Sequence, residues 1–282
     1  MVKIVADSTC DLSKELIEKY QIQIAPLHIL LGDDEYLDGA NITPDEIYAW
    51  ADANNETPKT SAIGFEEATQ ILEQVKDTED EMIVFTISGK MSTTANVFRL
   101  VTEELELEDK VSIIDSENLS TGIGLLVLKA AAMAESGMSR EEISVEIDGI
   151  KDKVQASFVV DTLTYLHRGG RCSSVAALAG GVLKLHPKIV VSEGSMGADK
   201  KYRGKMQKVI LDYVKDMEES IKKADKSRVF ITHSGCEQEI IDSVYAYLEN
   251  MNYFDEILVT RAGGVISSHC GPGTLGVLYV AE

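Results

Sequence analysis

The sequence has little that would mark a secreted, membrane-spanning or nucleic-acid-binding protein. Its four cysteines, Cys10, Cys172, Cys236 and Cys270, are far apart and form no CxxC pair, so neither a disulfide framework nor a zinc site is read from them. No apolar run approaches the roughly 20 residues that span a bilayer. The apolar stretch at Met1 to Ala6 is too short for a signal peptide and ends at Asp7. Reduced thiols and a cytoplasmic location are therefore expected, and the sequons at Asn41 and Asn118 carry no weight. One tryptophan offers no base-stacking surface. Lysine and arginine number 27 against 47 acids, a net charge of -20, which argues against nucleic acid and anionic membranes as partners. The catalytic templates are missing too: there is no GxSxG elbow, no HExxH and no Walker A loop, and Gly122-Ile123-Gly124 lacks the third glycine of a dinucleotide site.

What is present is ordinary globular material. The 282 residues are 44% hydrophobic and 26% charged, enough for two cores and for two domains. Short apolar runs alternate with amphipathic stretches. The runs at Lys3–Asp7, Ile24–Leu30, Met82–Ser88 and Lys110–Ser116 predict buried strands, and Ser13–Tyr20 and the capped start at Thr43-Pro44-Asp45-Glu46 predict helices. A hairpin is expected over Leu31–Asp38. This rhythm implies an α/β fold with a parallel sheet in the N-terminal part. The texture changes after about residue 155. Strands are expected at Ala156–Val160, Lys188–Met196, Arg228–His233, Glu256–Arg261 and Gly276–Ala281, with a short helix at Thr162–His167 and a long one at Lys205–Ala224. The expected division is 1–157 for an α/β/α domain and 158–282 for a mixed-sheet α/β domain, the last strand returning to either.

Ligands of parallel α/β sheets sit beyond the carboxyl ends of the strands. Two segments put hydroxyls there: Thr60-Ser61, read as a loop before a helix near Gly64, and the turn from Ser88 to Asn96, with Ser88, Ser92, Thr93 and Thr94. At a helix N-terminus such hydroxyls suit an anion, although Ser and Thr also act there as plain N-caps. His269 is expected in a loop fixed by Gly271-Pro272-Gly273, able to donate to a carboxylate or act as a base. His233 reads as a strand end and His186 as a turn residue before Pro187. Charge is uneven: from Tyr165 to Lys208 there are nine cations (Arg168, Arg171, Lys184, Lys188, Lys200, Lys201, Arg203, Lys205, Lys208) and two acids, Glu193 and Asp199. This segment is either a solvated face or a docking patch for an acidic partner or a phosphate. The residues alone reach an anion-binding crevice in an α/β protein and leave its ligand open.

Several strings together resemble the DegV family, the fatty-acid-binding proteins that serve bacterial fatty acid kinase. They are Ile4 to Leu12, Tyr36-Leu37-Asp38-Gly39, Lys59-Thr60-Ser61, Ser88 to Thr94, Asp115-Ser116, Leu163 to Arg171 and His269 to Gly273, in family order along essentially the whole chain. The resemblance implies a two-domain carrier that buries an acyl chain and presents its carboxylate to a kinase catalytic subunit, without catalysis or cofactor of its own. Thr60, Ser61, Ser92, Thr93 and His269 would hold the carboxylate, and Arg171 and Arg203 would meet the kinase. Two departures from the family pattern stand out. Ala62-Ile63-Gly64 replaces its Gln-Pro-Ser, and Thr93 and Ala95 replace a glycine and a tyrosine. Ala95 is expected to widen or reroute part of the pocket, and Thr93 to add a hydroxyl and bulk beside the carboxylate. The alternatives are a hydrolase or phosphotransferase using Ser92 and His269, and a binder of another small anion.

Overall fold

The computed structural model describes residues 1–172 and 185–282; Lys184 of the basic segment lies outside them. The first part of the chain runs β1 (Val2–Asp7), α1 (Lys14–Lys19), β2 (Gln23–Ala25), β3 (His28–Leu31), β4 (Asp34–Leu37), α2 (Pro44–Asn54), β5 (Lys59–Ser61), α3 (Phe65–Leu72), β6 (Glu81–Thr86), α4 (Thr94–Glu104), β7 (Val111–Asp115), α5 (Thr121–Glu135) and α6 (Arg140–Ile150). The second runs β8 (Val154–Val159), α7 (Thr164–Gly169), β9 (Leu185–Ser192), β10 (Ser195–Arg203), α8 (Met206–Asp216), α9 (Glu218–Ile221), β11 (Arg228–His233), α10 (Gln238–Asn250), β12 (Glu256–Arg261), α11 (Gly264–Cys270) and β13 (Leu275–Val280).

β2-β1-β6-β7 form a parallel sheet. Both faces are covered, so its strands read as near-continuous apolar runs, Met82 to Phe85 being fully buried. A small antiparallel sheet, β4-β3-β5, stands apart from it. The predicted strand Ile24–Leu30 is in fact two, β2 in the parallel sheet and β3 in the small one. Pro26 between them has no N–H for a ladder, and Leu27 N–H turns instead to Ser8 Oγ at 3.1 Å. The helix after Thr43 starts as its sequence predicts: Glu46 accepts from Thr43 N at 2.8 Å, and Thr43 Oγ1 accepts from Glu46 N at 3.4 Å.

The second sheet has the order β10-β9-β8-β13-β11-β12, antiparallel except for β11 and β12. A separate core lies between this sheet and helices α8 and α10, with Tyr213 and Val244 fully buried. The predicted helix Lys205–Ala224 is interrupted at Met217, so α8 and α9 are separate. The final strand, β13, lies between β8 and β11. β8 pairs with β13 from Val154↔Val280 to Val159↔Leu275, so a division at residue 157 would cut one strand. We propose dividing the chain after residue 153. His186, expected in a turn, is buried within β9, its Nδ1 3.3 Å from Val160 O.

Two helices tie the halves together. In α5 the residues Thr121 to Leu128 are all buried, as a helix apolar all round must be, and it packs on β1 and β6 on one side and on β8 and β13 on the other. α11 follows the second sheet's β12 yet packs on α2, β3 and β5. The site lies where α11 meets these first-half elements.

Candidate functional site

Thr60 and Ser61 belong to β5, not to a loop. They pair with Ile29 and His28 of β3, which fixes Thr60 against α11. The turn after β6 is built from several directions. Ile87 N–H donates to Asp7 Oδ2 at 2.7 Å, Ser88 Oγ to Gly194 O at 2.7 Å, and Lys90 Nζ to Glu193 O at 2.7 Å. Met91 and Ser92 N–H both return to Ser88 O. Ser92 Oγ shares a 2.9 Å hydrogen bond with Thr94 Oγ1 and accepts from Thr94 N at 3.3 Å. Ser92 therefore does cap the start of α4, while the Thr93 side chain makes no such bond.

His269 is the penultimate residue of α11 and not part of a loop, which corrects the sequence expectation. The Gly-Pro-Gly turn ends the helix: Gly271 takes a φ of 74° and its N–H bonds Ser267 O at 2.9 Å. The other end of α11 is held by two buried carboxylates. Gly263 N–H donates to Asp11 Oδ1 at 2.8 Å and Gly264 N–H to Asp38 Oδ1 at 2.6 Å. Thr60 Oγ1 and His269 Nε2 are 2.8 Å apart. The second ring nitrogen, Nδ1, is buried with no hydrogen-bond partner among the described residues and lies against Gly169, where a Cβ would come within 2.5 Å of it. Burial, and then the positive charge of Arg171, pull the His269 pKa down to about 4. The imidazole is therefore neutral at physiological pH and acts as a hydrogen-bonding group.

These elements enclose a cavity of about 410 Å³, within the roughly 300–1,000 Å³ of small-molecule sites. Thr60, Ser61, Ser92, Thr93, His269 and Arg171 all line it, together with Leu27, Ile87, Met91, Leu119, Met196, Val265 and Ile266. Leu119, Ile266 and Cys270 also border a narrow, almost wholly apolar space of about 20 Å³ farther in, towards Phe158 and Leu278. Ala95 is buried in the first turn of α4 and is not among the lining residues of the cavity, whereas Thr93 is. Arg203 stands apart, exposed at the end of β10.

The sequence reading assigned no role to Asp7, Asp11 or Asp38, although all three sit in its quoted strings. Each is buried and each has its pKa raised, chiefly by burial; that of Asp7 reaches about 6. They position the site from beneath: Asp7 holds the Ser88 turn, and Asp11 and Asp38 hold the helix that carries His269. Lys90, Met196 and Cys270 are further lining residues with no sequence signal of their own. The Cys270 thiol is pushed up to about 12 by burial, so it is inert.

The DegV family model, described as an uncharacterised protein family, matches residues 1–282. The chain belongs to the DegV family. A DegV domain-containing protein of Clostridium perfringens is 35% identical over 286 residues, covering 100% of this chain and 99% of its own length. Among solved structures, a fatty-acid-binding DegV family protein of Thermus thermophilus has a TM-score of 0.91 at 28% identity, with 100% of this chain and 99% of that one covered. A stearic-acid-binding protein of Eubacterium ventriosum has a TM-score of 0.86 at 28% identity, covering 100% and 98%. The parallel and mixed sheets described above are thus the DegV fold over its full length, with the cavity between α11, β5 and the Ser88 turn.

Proposed function

We propose that this chain is a carrier that binds one long-chain fatty acid in the cavity and presents its carboxylate to a fatty acid kinase. One observation carries the reading: Thr60, Ser61, Ser92, Thr93 and His269, drawn from three separated segments, meet at one apolar cavity. The solved relatives that bind fatty acids support the ligand class. An acyl chain of about 16 carbons brings on the order of 12 kcal/mol of gross driving force, at about 0.8 kcal/mol per buried methylene, less the lost freedom of ligand and protein. The carboxylate needs donors when it leaves water. Ser61, Thr93 and the neutral His269 supply them, with Ser92 at the positive end of α4.

The kinase brings ATP and its metal. A carboxylate oxygen attacks the γ-phosphorus, the new O–P bond gives the acyl phosphate, and ADP leaves. Arg171 at the mouth and Arg203 at the end of β10 are the docking cations in this reading. Part of the basic segment is already neutralised, because Lys188, Lys200 and Lys208 pair with Asp199, Asp216 and Asp212. Arg168, Arg171, Lys201, Arg203 and Lys205 have no carboxylate at ion-pair distance among the described residues, which leaves them for an acidic partner. All four cysteines are free thiols, and no described helix is long and apolar enough to cross a membrane. The carrier is assigned to the cytoplasm on this reading.

A hydrolase built on Ser92 and His269 is disfavoured by the contacts. His269 Nε2 faces Thr60, Nδ1 has no orienting acid among the described residues, and Ser92 is engaged with Thr94. The test is a reconstitution with labelled ATP and a bacterial fatty acid kinase. Acyl phosphate should form only when kinase and fatty-acid-loaded carrier are both present. Cleavage of an acyl ester or phosphate by the isolated chain would overturn the carrier assignment.

A further inference from the structure

Among the described residues the three sheets present six edges, and five of them are blunted. β2 and β5 are three residues long and β4 is four. β10 carries a register shift between Ala198 and Lys201, with Lys200, Lys201 and Arg203 along it. At β7, Arg140 of α6 closes the amino end, donating to Ser112 Oγ at 2.7 Å and to Asp109 O at 3.0 Å. Short strands, bulges and edge lysines keep an open edge from pairing with another chain. β12 has none of these. It is six residues long, pairs with β11 without interruption from Arg228↔Glu256 to His233↔Arg261, and has no strand on its outer side among the described residues. Its middle, Ile257-Leu258-Val259, is apolar, and Val259 is 40% exposed. Ile257 packs with the core under α10 and Leu258 with the other core, so by strand alternation Val259 projects on the α10 face. α10 packs on β11 and β12 and leaves Tyr245 36% exposed.

An open edge of this kind takes up a further strand by main-chain hydrogen bonds, and the side chains set the partner and the register. We propose that β12 is the interface between two copies of this chain, paired antiparallel about a two-fold axis at Leu258, so that the second sheets of both copies become one continuous sheet. The residues of the strand select this occupant and this register. On the α10 face Ile257 of each copy stands opposite Val259 of the other, and Asp255 opposite Arg261. On the reverse face Leu258 meets its own equivalent and Glu256 faces Thr260. Apolar residues thus meet apolar ones and Asp255 meets the opposite charge, each contact occurring twice by symmetry. Asp255 has no ion pair among the described residues. Arg261 is held by Asp45, with Nη1 3.0 Å from Oδ2, and the five donors of a guanidinium leave it able to take a second carboxylate. Moving the axis by one residue, to Val259, would set Ile257 against Arg261 and Asp255 against Gly263, losing both complementarities. No residue of β12 lines the cavity or its inner extension, so both sites stay open in the dimer and the inference does not depend on the carrier reading.

Sedimentation of the full chain over a concentration series tests this. One strand pair with its flanking helices is a small interface, below about 1,200 Å² in total, so the dimer should accumulate at micromolar rather than nanomolar concentrations. Val259→Lys and Asp255→Lys should each weaken it about tenfold, because the two-fold applies each change twice, while the melting temperature and palmitate uptake stay those of the wild type. Leu258→Cys should give a disulfide-linked dimer under mild oxidation, the two copies of this residue lying within the Cα reach of a disulfide. Val145→Cys, at a 70% exposed position on α6, is the control for random collision and should link far more slowly. Where a lysine variant melts early, the two cysteine variants decide alone. A monomer at every concentration would overturn the proposal and leave the β12 edge to a strand of another protein. A dimer that neither lysine weakens, or that Leu258→Cys links no faster than Val145→Cys, would place the interface elsewhere and also overturn it.

Discussion

Gly169→Ala tests whether the orientation of His269 matters to ligand binding without touching a polar group. Gly169 is the last residue of α7 and its φ is not positive, so alanine suits its backbone. In a helix, alanine should even stabilise by up to about 1 kcal/mol. The new Cβ, however, would stand 2.5 Å from His269 Nδ1, whereas real Cβ contacts stay beyond 3.0 Å. The ring must move by about half an ångström, and whichever way it goes the 2.8 Å contact with Thr60 is disturbed. If the imidazole then no longer serves the carboxylate, a charged hydrogen bond of about 1.5–3 kcal/mol is lost, which weakens fatty acid binding about 10- to 100-fold. Overpacking costs about 1–3 kcal/mol, partly offset by the helix term, so the melting temperature should fall only modestly. The assay is displacement of a fluorescent fatty acid, with a thermal melt of the empty protein alongside. Gly149→Ala in α6 is the control, since nothing lies within 4 Å of its added Cβ; it should bind normally and melt no lower than the wild type. A Gly169→Ala protein with unchanged affinity would refute the reasoning.

Three other outcomes are expected. Ser92→Ala should cost about 1 kcal/mol of stability through the lost cap on α4, read by denaturant unfolding, in addition to weaker ligand binding. Asp38→Ala should destabilise by about 1–3 kcal/mol by leaving Gly264 N–H unsatisfied in the interior, while Asp38→Asn, which keeps an acceptor, should recover most of that. The pH dependence has two opposed parts. The Asp7 pKa is raised to about 6, so its contribution to stability is complete below its ordinary value near 4 and is lost as pH rises through 6, by about 3 kcal/mol. The His269 pKa is lowered to about 4, so its contribution is complete above 6.5 and is lost as pH falls towards 4. NMR titration of the two side chains separates them.

Much of the architecture was legible because local rules and tertiary structure agree. The buried strands of the parallel sheet are unbroken apolar runs, and Thr43-Pro44-Asp45-Glu46 starts a helix by capping chemistry alone. The hydroxyl clusters at Thr60-Ser61 and Ser88–Thr94 were visible as anion candidates because they interrupt apolar segments. Their meeting point with His269 was not visible: it depends on α11 crossing from the second sheet to β3 and β5. α11 itself was misread because a seven-residue helix with two serines, ended by Gly-Pro-Gly, has the composition of a loop. The split at Pro26 follows from one missing donor, a detail that apolar patterning does not register. The buried acids carry no periodic signal. Asp7, Asp11 and Asp38 act on the site through N–H groups distant in sequence, at Ile87, Gly263 and Gly264.

The most direct measurement is native mass spectrometry of the purified protein, followed by denaturing extraction and identification of what is released. The account predicts one fatty acid per chain, lost or weakened in Thr60→Val and His269→Ala. An empty protein that also takes up no added fatty acid would contradict it.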